Sequence, residues 1–306
     1  MKVLVATEKP FAAVAVDGIR ELLTAAGHEL VLLEKYTEKS QLLEAVADVD
    51  AMIIRSDKAT AEVIEAAKNL KIIVRAGAGY DNIDLPACTA KGVVAMNTPG
   101  QNSNAVAELV IAMMIYMSRN GFTPGTGHEI SGKRLGIQAF GHIGRLVAQK
   151  AKALGMDVMV YSSSRPAEEI RKEGYFPAAN LKELYANNDF VSVHIPATPE
   201  TRGSIGYELL NEMPVGGCLL NSARKEIINE AELVKVLGDR ADLKYATDIA
   251  PECMEELKEK FGNRVFATPK KMGAQTAEAN INAGLAAARQ IIDFFATGCT
   301  EFQVNK

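Results

Sequence analysis

Between residues 134 and 165 an apolar run, a glycine-punctuated turn, an amphipathic segment and a second apolar run follow one another, and no other feature constrains the fold of this chain as tightly. Residues 135–140 read as a strand, Gly141-His142-Ile143-Gly144 as a turn, 145–154 as a helix and 157–161 as the next strand. A βαβ unit of this kind presents backbone N–H groups and the positive end of a helix to a dinucleotide pyrophosphate. The G-x-G-x-x-G fingerprint is incomplete. Ala139 stands at its first position, and Ser162 stands where an acidic residue would hold a ribose hydroxyl. A plain glycine-containing βα turn fits those residues as well.

Composition narrows the class of partner. With 34 basic and 38 acidic residues interspersed, a net charge of −4 and no basic block, neither nucleic acid nor a membrane surface is expected, and a small molecule is. The four cysteines (Cys88, Cys218, Cys253, Cys299) lie far apart in no metal or redox spacing, so reduced thiols in a cytoplasmic protein and no metal are expected. The N-terminus reads as a first strand rather than a signal peptide, and the longest apolar run, 109–117, is about half a membrane span.

Strand-like runs at 2–6, 29–33, 51–54, 71–75 and 93–96, and again at 135–140, 157–161, 190–195, 217–221, 243–248 and 264–268, alternate with amphipathic segments. Regular βα alternation predicts an α/β fold with parallel sheets covered by helices on both faces. A glycine turn of this type follows the first strand of its own sheet, so two doubly wound domains are expected, with Asn97-Thr98-Pro99-Gly100 as the punctuation between them. The alanine-rich run 276–295 has no strand after it and is expected to return to the first domain. Helix 104–118, apolar nearly all round, suggests a subunit interface and a homodimer.

Five ordered motifs then carry a family resemblance. They are Arg75-Ala76-Gly77-Ala78-Gly79-Tyr80-Asp81-Asn82-Ile83-Asp84; Asn97-Thr98-Pro99-Gly100 with Ala107-Glu108-Leu109; His194-Ile195-Pro196 with Thr198 and Thr201; Asn221-Ser222-Ala223-Arg224; and Gly273-Ala274-Gln275-Thr276. In order and approximate spacing the chain resembles the D-isomer-specific 2-hydroxyacid dehydrogenases over essentially its whole length. Within that family it looks most like the members that oxidise 3-phosphoglycerate at the first step of serine biosynthesis, in a short form without a regulatory domain. The resemblance implies a flavodoxin-like substrate-binding domain (1–98 plus 277–306) and a Rossmann dinucleotide-binding domain (99–276). It places cofactor contacts on Ala139, Gly141, His142, Ile143 and Gly144 and on Tyr161, Ser162, Ser163 and Arg165. Further contacts are implied at His194, Ile195, Pro196 and Thr201, at Ser222 and Ala223, and at Asp248. The cofactor implied is NAD, while the hydroxyls after residue 161 and Arg165 also suit the 2′-phosphate of NADP.

Oxidising a 2-hydroxy acid requires a base, a cation for the carboxylate and a fixed nicotinamide. Arg224 matches the family arginine, whose planar guanidinium engages a carboxylate and a developing alkoxide together. The turn Ala76-Gly77-Ala78 offers backbone N–H groups as an anion nest, or is a tight turn that needs glycine for backbone reasons. Where the family carries its active-site histidine, two residues before Gly273, this chain has Lys271, and no histidine follows His194. An ordinary lysine has a pKa near ~10.4, so it serves directly as an acid in reduction and as a base only if that value is depressed. The orienting glutamate of the family is matched only loosely, by Glu252. Arg55, with Lys58 beside it, matches the arginine that binds the substrate phosphate. Three readings stay open: a phosphoglycerate dehydrogenase working through Lys271, a reductase of glyoxylate, hydroxypyruvate or another small 2-keto acid, and a dinucleotide-sensing protein without turnover.

Overall fold

The computed structural model describes residues 1–305 and divides into two compact units, one formed by residues 1–102 with the segment from Gln275 onward, the other by 103–274. In the first, β1 (Lys2–Thr7), β2 (Glu29–Glu34), β3 (Ala51–Ile54), β4 (Ile72–Arg75) and β5 (Val94–Asn97) form one sheet in the order β2-β1-β3-β4-β5. Every pairing is parallel. This is the flavodoxin-like order. Its strands are continuous apolar runs because both faces are covered. Leu4, Ala6, Met52 and Ile54 feed one buried cluster, and Val3, Val5, Ala51 and Ile53 feed the other.

In the second unit β6 (Arg134–Gln138), β7 (Asp157–Tyr161), β8 (Phe176–Pro177), β9 (Phe190–Val193), β10 (Cys218–Asn221), β11 (Lys244–Thr247) and β12 (Val265–Ala267) run in the order β12-β11-β10-β9-β6-β7-β8, again all parallel. The order reverses between β6 and β9, the switch point at which a doubly wound sheet binds its ligand. The glycine turn follows β6 directly.

Several sequence expectations are corrected in detail. The strand expected over 135–140 ends at Gln138, because Ala139 turns to φ +79° and leaves the extended region. The following helix begins at His142 rather than at 145, with Gly141 at its N-cap. The strand expected over 190–195 ends at Val193. The two-residue edge strand β8 has too little pattern to be read from sequence, and it contains a proline, which sheets tolerate at edges. Helix Ser103–Ser118 is buried by its own unit. It packs against helix His142–Ala153 and against β10 and β11, and its residues Val110, Met113, Met114 and Met117 belong to the same core cluster as Leu135, Ile137 and Leu220. Its all-round apolarity therefore needs no partner subunit to explain it. Helix Ala277–Thr297 packs on helix Ala13–Ala25 and on β3 and β4. Cys88, Cys218, Cys253 and Cys299 are all free thiols. Among the described residues no helix is long and apolar enough to cross a membrane, and no cluster of side chains has metal-binding geometry.

Candidate active site

The glycine turn is built by backbone sterics. Ala139 donates its N–H to the carbonyl of Tyr161 (2.9 Å), which bends the chain out of β6, and Gly141 caps the helix that follows. A Cβ on Gly144 would stand 2.3 Å from the carbonyl oxygen of Ala139, so only glycine lets the helix approach the strand. A Cβ on Gly141 would meet nothing within 4 Å, so the space before the helix N-terminus is open. His142 is exposed at that end, and Ile143 packs inward on the core. The turn thus fits a pyrophosphate on helix N–H groups, and the positive φ of Ala139 suits glycine better. Replacing Ala139 by glycine relieves about 1–2 kcal/mol of positive-φ strain against up to about 1 kcal/mol of added unfolded-state entropy, so a net stabilisation of about 0.5–1 kcal/mol is expected in chemical denaturation. A loss of stability would show that the turn stores no strain at this residue.

After β7, Tyr161 packs inward, and Ser162 shares long contacts of 3.4 Å with the hydroxyl and the amide of Ser164. Ser163 is exposed, and Arg165 pairs with Glu169 at 3.4 Å. That carboxylate competes with a 2′-phosphate for the guanidinium. At the switch point His194 donates its backbone N–H to the carbonyl of Gln138 (2.9 Å), and its Nε2 lies 3.0 Å from the hydroxyl of Ser192. Burial pushes the imidazole pKa down to about 3, so the ring is neutral, and its Nδ1 is buried without a protein partner. Ser222 Oγ, at the end of β10, is likewise buried and unpartnered. Such orphaned polar atoms beside an open helix N-terminus are what a polar cofactor would satisfy. In the loop after β9, Ile195 packs on the core, and Thr201 donates to the carbonyl of Pro196 (2.6 Å) while accepting from the amide of Thr198 (2.7 Å). The Thr201 hydroxyl is therefore engaged in shaping its own loop.

Asn221 shapes the next turn: its side chain accepts from the amide of Ala223 and donates to the carbonyl of Arg224, both at 2.9 Å. Arg224 is half-buried, and its guanidinium donates to the carbonyl of Ala223 at 2.9 Å. Among the described residues it forms no ion pair with a carboxylate. Asp248, 1% exposed after β11, accepts from the amides of Met272 (2.7 Å) and Gly273 (2.8 Å) and from the hydroxyl of Thr268 (2.8 Å). A Cβ on Gly273 would fall 2.8 Å from that carboxylate, which explains the glycine. Asp248 is the anchor of the loop that carries the exposed Lys271. Sequence reading placed it among cofactor contacts and missed this role, because the partners are backbone amides 24 and 25 residues away. Glu252, by contrast, is 81% exposed and pairs with Lys225.

In the other unit, Ala76, Gly77 and Ala78 follow β4, with Gly77 at φ +149°. Arg55, at the end of β3, donates to the carbonyls of Lys9 (3.0 Å) and Pro10 (3.1 Å) and to Asn280, and stacks 5.0 Å above the Phe11 ring. Burial lowers its pKa, though a guanidinium stays charged. Its carbonyl accepts from Arg75 Nε at 3.0 Å and from Asn82 at 3.2 Å. The Arg75 guanidinium covers Gly77, where a Cβ would meet it at 1.6 Å. The Arg75 guanidinium thus covers the Gly77 turn, that of Arg55 is directed to Lys9, Pro10 and Asn280, and Lys58 is exposed on the loop after Asp57. Arg75 was not singled out from the sequence, since as a strand-end residue it reads like any other.

Comparison with known proteins settles the family. Residues 107–270 match the domain described as D-isomer specific 2-hydroxyacid dehydrogenase, NAD binding domain. The chain belongs to the D-isomer-specific 2-hydroxyacid dehydrogenases. Its cofactor is NAD, which the matched domain binds. A D-3-phosphoglycerate dehydrogenase of Archaeoglobus fulgidus is 35% identical over 310 residues, covering 96% of this chain and 57% of that protein. A hydroxypyruvate reductase of Thermotoga maritima is 34% identical over 281 residues, 86% of this chain and 90% of that one. The crystal structure of NAD+-bound 3-phosphoglycerate dehydrogenase from Entamoeba histolytica is 50% identical, covers 100% of this chain and 99% of its own, and has a TM-score of 0.88. The chain spans about half the length of the curated phosphoglycerate dehydrogenases it matches.

Proposed function

We propose that this dehydrogenase interconverts D-3-phosphoglycerate and 3-phosphohydroxypyruvate, the entry step of serine biosynthesis, with the unit 103–274 holding NAD and the unit around the Gly77 turn holding substrate. Held there, NAD would supply the acceptor for the hydride that leaves C2. Lys271 Nζ exchanges the proton of the 2-hydroxyl, and the loop anchored by Asp248 holds it in register. Arg224, without a carboxylate of its own, engages the substrate carboxylate and the charge developing on the carbonyl oxygen. The N–H groups of the Gly77 turn bind the carboxylate as a nest. Arg55, with Lys58 nearby, binds the phosphate. Glu252 is left with a surface role beside Lys225.

One observation carries the choice of a phosphorylated substrate: Arg55 and Arg75 stand at the ends of the paired strands β3 and β4, joined by the bond from Arg75 Nε to the Arg55 carbonyl, so the unit that carries the Gly77 turn brings two guanidinium side chains to one sheet end, more positive charge than a single carboxylate requires. The 50% identity to a phosphoglycerate dehydrogenase supports it. A reductase of unphosphorylated hydroxypyruvate is the second reading, favoured by the Thermotoga relative, which the chain matches over 90% of its length. Arg55→Ala separates them. With NADH as reductant, KM for 3-phosphohydroxypyruvate should rise by about 10- to 100-fold, the scale of one lost charge-assisted bond, and KM for hydroxypyruvate by much less. Equal rises on both substrates would remove Arg55 from a phosphate site.

Assembly as a homodimer is part of the same reading. The exposed side chains of Phe122 (70%) and Leu154 (42%), both in the unit 103–274, support it. A cytoplasmic location is supported by four free thiols.

A further inference from the structure

Two consecutive carbonyls of the Gly77 turn are held from behind. Gly77 O accepts from the amide of Thr98 (3.0 Å), and Ala78 O accepts from the side-chain amide of Asn97 (2.6 Å). Asn97 is itself fixed, because its carbonyl accepts from Nε2 of Gln290 (3.0 Å), a residue of helix Ala277–Thr297. Asn97 and Gln290 are each only 9% exposed, and Thr98 1%. Gln290 Oε1 is buried with no partner, so the side chain keeps its place for the donor end alone.

The orientation of the turn follows. No peptide bond among the described residues is cis, and in a trans peptide the N–H points opposite to the C=O. Gly77 O shares its peptide with Ala78 N–H, and Ala78 O shares its peptide with Gly79 N–H. Drawing both carbonyls toward β5 therefore turns two consecutive N–H groups away from the sheet. Neither N–H has an acceptor among the described residues, whereas Gly77 N–H bonds to Arg75 O (2.9 Å). Adjacent unpaired N–H groups aimed one way are an anion-binding nest. Ala78 is exposed and Gly79 half-exposed, so an anion can reach them.

We infer that Asn97 and Gln290 are positioning residues for carboxylate recognition: a relay from helix Ala277–Thr297 through the end of β5 sets the two N–H groups that bind the substrate carboxylate. This rests on the reading of the Gly77 turn as the carboxylate site. Neither side chain touches substrate. A buried amide whose donor end holds one carbonyl and whose acceptor end holds nothing would otherwise be replaced by an apolar residue with gain in stability.

The test compares a charged with an uncharged substrate on the whole protein. Glyoxylate and methyl glyoxylate, each reduced with NADH, carry the same reactive carbonyl with and without the carboxylate. Gln290→Met keeps length and volume and removes the donor; Asn97→Ala removes the contact to Ala78 O. Each should raise KM for glyoxylate by about tenfold and lower the glyoxylate-to-ester ratio of kcat/KM by a similar factor. NADH affinity and kcat at saturation should stay near wild type, which a merely structural role would not predict. Gln290→Met carries the result if Asn97→Ala fails to fold. Gly77→Ala serves as control for the nest itself. If it lowers the ratio while Gln290→Met leaves it unchanged, the relay is wrong and the nest stands. If Gly77→Ala folds, binds NADH and leaves the ratio unchanged, the nest and the relay both fall.

Discussion

Lys271→Ala is expected to lower kcat by about 10²-fold or more, the scale of a positioned acid or base, with NADH affinity nearly intact. The lysine stands two residues before Gly273 on a loop whose next two amides are tied to Asp248. A lysine with the unperturbed pKa near ~10.4 carries its proton at neutral pH, so in the reductive direction such a group donates directly to the carbonyl oxygen. Lys271→His exchanges this for a group with an ordinary pKa near ~6.5. Oxidation by that variant should reach its plateau at lower pH, since imidazole is a competent base there. Reduction should lose activity at alkaline pH, where imidazole has given up its proton and lysine has not. Steady-state rates in both directions across pH 6–10 measure this. Wild type and Lys271→Ala turning over at the same rate on 3-phosphohydroxypyruvate, hydroxypyruvate and glyoxylate would dismiss Lys271 as the proton-transfer group.

Asp248→Ala should be the most damaging single change in the unit 103–274. Its carboxylate accepts three hydrogen bonds at 2.7–2.8 Å while 1% exposed. Hydrogen bonds to a charged group are worth about 1.5–3 kcal/mol each, and removing the carboxylate leaves the buried Gly273 N–H and the part-buried Met272 N–H without an acceptor, while the Thr268 hydroxyl keeps the carbonyls of Asp248 and Lys270. The loss is not additive, because the loop relaxes; about 3–5 kcal/mol is the expected scale. The loop 268–273 then loses its register, and kcat falls even though Lys271 is intact. Asp248→Asn keeps one acceptor oxygen and should lie between. Urea denaturation and kcat measured on the same preparations decide. A variant that binds NADH weakly but retains wild-type kcat and stability would make Asp248 a cofactor contact, as the sequence suggests, and not a loop anchor.

Among the described residues eleven of the twelve strands are legible from sequence, the central ones because a parallel strand buried on both faces must be a short, continuous apolar run, whatever surrounds it. The order of sheets and the position of the glycine turn follow from βα alternation and from the one turn at which a side chain on Gly144 would strike the backbone. Arg224, Arg55 and the lysine in place of histidine are singled out instead by the resemblance to the family, motif by motif. What the sequence could not show is which groups are already satisfied. Helix Ser103–Ser118 reads as a subunit interface, yet its own core covers it, since hydrophobicity records that a face is buried and not by what. Arg165 reads as a phosphate ligand until Glu169 is seen beside it, and Glu252 as an orienting acid until Lys225 is. Asp248, Asn97 and Gln290 act through backbone amides and carbonyls up to 193 residues away, and a hydrogen bond to backbone leaves no trace in the identity of its partner. Composition and periodicity are properties of neighbours along the chain; hydrogen-bond satisfaction depends on neighbours in space, and only the tertiary structure decides it.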